Sequence, residues 1–113
     1  MIPPVSQTTA TTKRPGAILS ISADGGETGT GILWAVRGLG NASYKAPPGI
    51  LHAFDATDLT RELWNSEQNA ARDRFGKLAK FNTPVVANGK VYLATFSKQI
   101  AVYGLLPKGK GVR

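Results

Sequence analysis

Apolar residues in this chain come in short runs, alternating with polar ones and broken every few residues by Gly, Pro, Asn or Asp. Runs of that length, rich in Val, Ile, Leu and aromatic side chains, fit strands with a buried face. A helix would need apolar positions three and four apart over ten or more residues. The pattern predicts strands at residues 17–23, 31–36, 50–55, 61–64, 84–87, 90–96 and 99–105, with a short helical turn around 68–74. Asn88-Gly89, set between Val85-Val86 and Val91, is the strongest turn signal, because a two-residue type I′ hairpin needs positive φ at both central positions. Residues 1–14, rich in Thr, Pro and Ser without apolar periodicity, read as a disordered lead-in, and 107–113 as a basic tail.

The strands repeat. Ile21-Ser22-Ala23-Asp24-Gly25 matches Val85-Val86-Ala87-Asn88-Gly89 at an offset of 64, and Ile32-Leu33-Trp34-Ala35 matches Val91-Tyr92-Leu93-Ala94 at 59. Leu51-His52-Ala53-Phe54 then matches Ile100-Ala101-Val102-Tyr103 at 49. The falling offset calls for insertions in the first copy, and these land in loop-like sequence at 26–30 and 37–48, where extra residues cost little. Strand, turn, strand, turn, strand and a fourth strand ending in Leu63-Trp64 make an antiparallel four-stranded meander, so the expected fold is all-β.

These residues resemble the pyrroloquinoline-quinone-like (quinoprotein) β-propeller repeats. The resemblance is carried by Gly31-Ile32-Leu33-Trp34-Ala35, Gly49-Ile50-Leu51-His52-Ala53-Phe54-Asp55-Ala56 and Glu62-Leu63-Trp64, and again by the stretches 84–95 and 100–105. It implies a partial β-propeller of two blades, at about 17–67 and 83–106, with a Trp docked between neighbouring blades. The second copy lacks a fourth strand, so the expectation is the C-terminal end of a larger protein. The family includes dehydrogenases that oxidise alcohols or sugars with pyrroloquinoline quinone (PQQ) and calcium, often in the periplasm. No ligand of either group maps onto these residues.

The composition narrows the chemistry further. The absence of cysteine removes disulfides, thiolate nucleophiles and cysteine-held metals, and one histidine, His52, builds no multi-histidine metal site. No run approaches the roughly 20 apolar residues of a membrane span, and the first residues lack the apolar core of a signal peptide, so no membrane partner is expected; the compartment stays open. Fourteen Lys and Arg against seven Asp and Glu give a net charge of +7, but Lys13, Arg14, Lys108, Lys110 and Arg113 lie in the tails. Arg72, Arg74, Lys77 and Lys80 gather in one inter-strand segment, a candidate basic surface for an anion or nucleic acid through 69–81, where Phe75 and Phe81 are interleaved. The plainer reading is a connection with aromatics turned inward and charges in water. Likewise Asp55 is expected to cap the turn after its strand, His52 to pack beside Ile50 and Phe54, and Trp34 and Trp64 to be core. Gly25-Gly26 and Gly29-Thr30-Gly31 lack the Lys-Ser/Thr of a phosphate loop. The first expectation for function is therefore a non-catalytic structural and interaction module that self-associates as a homo-oligomer. The alternatives are a fragment of a PQQ-dependent dehydrogenase and a binder of anions or nucleic acid.

Overall fold

The computed structural model describes residues 3–9, 12, 16–39, 47–79 and 82–104. The described residues are all-β but for one helical turn: β1 (Ile18–Ser22), β2 (Ile32–Gly38), β3 (Gly49–Asp55), β4 (Glu62–Asn65), α1 (Ala70–Asp73), β5 (Val85–Ala87), β6 (Lys90–Ala94) and β7 (Ile100–Tyr103). Each expected strand is present within a few residues; Leu105, and the tail at 107–113, fall outside the described residues. Strands β1 to β4 form one antiparallel meander and β5 to β7 a second. Asn88 and Gly89 both take positive φ (52° and 71°), which gives the tight turn its type I′ twist.

The core lies between the sheets. Val36 and Leu51 of the first meet Val91 and Leu93 of the second, with Phe75 and Leu78 closing the cluster from the connection after α1. That connection is stitched to both sheets. Gly49 N–H donates to the Gly76 carbonyl (2.9 Å) and Leu78 N–H to that of Pro47 (2.8 Å), while Phe96 N–H donates to that of Lys77 (3.0 Å). Gly49 has to be glycine here, since a Cβ would stand 2.5 Å from Cζ of the buried Phe75 ring.

Hydrogen-bond phase fixes how the sheets face one another. Ala56 N–H donates to the Gly31 carbonyl (3.0 Å) and Leu39 N–H to that of Pro48 (2.8 Å). In β2, therefore, Leu33, Ala35 and Arg37 bond toward β3, and Trp34 and Val36 toward β1. Thr95 N–H donates to the Gln99 carbonyl (3.0 Å), so in β6 Val91 and Leu93 bond toward β7 and Tyr92 toward β5. For L-residues, the side to which a strand residue turns its N–H and C=O is tied to the face its side chain takes. The core residues of β2 bond toward the first strand of their sheet, whereas those of β6 bond toward the last of theirs. The sheets thus meet through opposite faces, stacked the same way round with β1 in contact with β5, and are not a two-fold pair.

The same pairing corrects the repeat. Trp34 sits between Ser20 and Ala53, and Tyr92 sits between Val85 and Val102 in the same hydrogen-bond phase, so equivalent residues are 65, 58 and 49 apart. The expected 64 and 59 are each one residue out. A one-residue slip exchanges the two faces of a strand. Apolar alternation does not fix the phase, because β3 is buried on both sides from Gly49 to Phe54.

Candidate functional site

The outer face of the first sheet, away from the core, carries a line of polar side chains drawn from three strands. Arg37 of β2, His52 of β3 and Glu62 of β4 converge there, because alternation turns all three to that face. Arg37 Nε–H donates to His52 Nε2 (2.9 Å), and His52 Nδ1 is hydrogen-bonded to Glu62 Oε2. With Nε2 accepting, the ring proton sits on Nδ1 and is donated to the carboxylate, so both ring nitrogens are occupied in a neutral imidazole. The imidazole is sealed, its side chain 5% exposed against 34% for Glu62, and it stacks on Phe54 (centroids 5.3 Å apart, 17° between planes). His52 thus packs beside Ile50 and Phe54 as expected. Its partners, 15 and 10 residues away in sequence, were not foreseen.

A shallow cavity of about 330 Å³ opens beside this line, walled by Phe54, Leu59, Thr60 and Glu67 as well as by Thr8 and Thr9. The described part of the N-terminal segment lies against the sheet here: Ser6 Oγ accepts the Leu59 N–H (3.1 Å). Between Phe54 and Arg61 run two Asp-x-Thr turns, the second of which lends Leu59 and Thr60 to the wall. Asp55 accepts both the amide and the hydroxyl of Thr57 (2.9 and 2.7 Å), and Asp58 does the same with Thr60 (3.1 and 2.7 Å). The threonine hydroxyls hold both carboxyls below the ordinary value of 3.8, and Arg61 bonds the free oxygen of Asp55 (2.8 Å). Asp55 therefore caps the turn after its strand.

Two of the four cations of the basic segment, Arg72 and Arg74, are paired with carboxylates. Arg72 makes two hydrogen bonds to Asp73 (2.6 and 2.7 Å), and Arg74 makes two to Glu67 (3.1 and 2.6 Å). Each arginine pulls its carboxyl partner below the ordinary carboxylate value. Lys77 is exposed, Lys80 and Phe81 lie outside the described residues, and Phe75 is buried in the core, where it offers no face for a base to stack on. Trp64 packs edge-on to Tyr103 across the sheets (5.5 Å, 62°), and the Tyr103 hydroxyl donates to the Asp73 carbonyl (2.7 Å). Burial, with Asp73 nearby, pushes the Tyr103 phenol well above its ordinary value. Trp34 packs against the core and donates from Nε1 to Ser22 Oγ (2.9 Å).

Among the described residues no three His, Cys, Asp or Glu side chains gather as a metal site. Compared with protein-family models, with curated proteins and with solved structures, the chain matches none.

Proposed function

We propose that this chain is a non-catalytic structural and interaction module, a quinoprotein-like pair of propeller blades that acts by associating with copies of itself. The observation that carries this reading is the apolar surface left on both outer faces. Leu19 and Ile21 on the first sheet, and Val85, Ile100 and Val102 on the second, are each between 50% and 69% exposed. Aliphatic side chains grouped on sheet faces mark an association surface more often than a solvent one. The three-stranded second sheet adds an open edge at β7 among the described residues, with backbone groups unpaired.

The polar line at the cavity supports the non-catalytic half. Both ring nitrogens of His52 are engaged by Arg37 and Glu62, leaving neither to activate a nucleophile. Light scattering over a dilution series should report a concentration-dependent mass above that of one chain. Adding PQQ and calcium with a redox dye should give no reduction; reduction abolished by a substitution in this chain would establish the dehydrogenase alternative instead.

A further inference from the structure

The contact already present inside the chain specifies the contact between chains. Resting on the self-association just proposed, we infer that copies assemble head to tail, with the outer face of one copy's second sheet seated on the outer face of the next copy's first sheet.

The corrected repeat supplies the argument. Ser20, Trp34 and Ala53, a row on the inner face of the first sheet, are equivalent to Val85, Tyr92 and Val102, a row on the outer face of the second. Ile21, Leu33 and Phe54, on the outer face of the first sheet, are equivalent to Val86, Val91 and Tyr103, on the inner face of the second. Within the chain, the first of these faces packs on the last. The outer face of the second sheet, exposed at Val85, Ile100 and Val102, and the β1 side of the outer face of the first, exposed at Leu19 and Ile21, are therefore counterparts of faces buried in the same molecule, and each finds its complement on the opposite end of another copy. Such a contact uses two different surfaces. It propagates until a ring closes, whereas a two-fold contact would stop at two copies. The second copy of the chain is the fitting occupant because the two ends match in chemistry as well as in phase. Val85, Ile100 and Val102 are aliphatic at one end, and Leu19, Ile21 and Leu33 are aliphatic at the other.

Two substitutions at surface positions separate the possibilities. Ile21→Asp blocks the first-sheet face and Val102→Asp the second; both side chains are at least half exposed in one chain, so folding is kept, as unchanged circular dichroism and urea midpoints would verify. Each variant alone should run as a monomer, its self-association weakened by on the order of a hundredfold. Mixed in equal amounts, the two should form a heterodimer that grows no further, since the one good face of each finds the good face of the other. If the unsubstituted chain assembles but only one substitution matters, or mixing restores nothing, the head-to-tail arrangement is wrong and self-association stands. A monomeric unsubstituted chain at every concentration overturns both.

Discussion

Gly49→Ala should be among the most damaging single-methyl changes this fold can suffer. The added Cβ would lie 2.5 Å from Cζ and 2.7 Å from Cε1 of Phe75, and 3.3 Å from the Leu78 Cβ. The backbone cannot retreat easily, since Gly49 is paired with Gly38 and its N–H is held by the Gly76 carbonyl. The ring must therefore leave a position where it is 6% exposed and closes the core between the sheets. Overpacking of this kind costs about 2 kcal/mol, and for a chain of 113 residues that lowers Tm by roughly 8 °C. Phe75→Leu removes the ring atoms that collide and alone should cost about 1–2 kcal/mol. In the double variant the new methyl occupies the space the ring gave up, so the combined loss should fall short of the sum by about 1 kcal/mol. Urea unfolding of the four proteins measures the cycle. Additive losses would mean that Phe75 does not pack on Gly49, and the placement of the connection would be wrong.

Gly89→Ala tests conformation without contact: nothing lies within 4 Å of the added methyl, yet φ is +71°, so a loss of about 1 kcal/mol is expected in the same assay, and no loss would contradict the type I′ turn. His52→Leu takes an acceptor from Arg37 and a donor from Glu62 in a sealed site and should cost about 2–3 kcal/mol; a neutral result would remove the polar line from the account. The carboxyls of Asp55, Asp58, Glu67 and Asp73 are all lowered in the folded chain. The unfolded chain then binds more protons in the acid range, so stability is full above about pH 5 and declines as pH falls through the folded values. Asp73→Asn should flatten that acid limb in urea midpoints taken across pH, and an unchanged limb would discount the Arg72 pair.

The strands were legible because their signal is local. Short alternating runs set off by turn residues place all seven, and Asn88-Gly89 gives a hairpin through a φ requirement that two residues carry by themselves. Asp55 was legible for the same reason, its partner being Thr57. What escaped depends on register. The phase of the repeat is decided by which neighbour a residue bonds to, and β3, apolar toward both sides, offers no polar stripe to mark it. Arg37, His52 and Glu62 meet only after three strands are paired, so His52 read alone showed no partner. Charge counting likewise pictured a basic surface at Arg72 and Arg74, whereas the fold gives each arginine a carboxylate from Asp73 or Glu67.

The chain has no cysteine, so one introduced at Lys90, on the outer face of the second sheet beside Val85 and Val102, can carry a single nitroxide label without side reactions. Mixed with unlabelled, nitrogen-15-enriched chain, it reports directly which surface of one copy meets the second sheet of another. Paramagnetic broadening should fall on the amides of Leu19, Ser20 and Ile21 in the enriched copy. Broadening confined to β5 and β7, or none at concentrations where the mass exceeds one chain, would contradict association through these two faces.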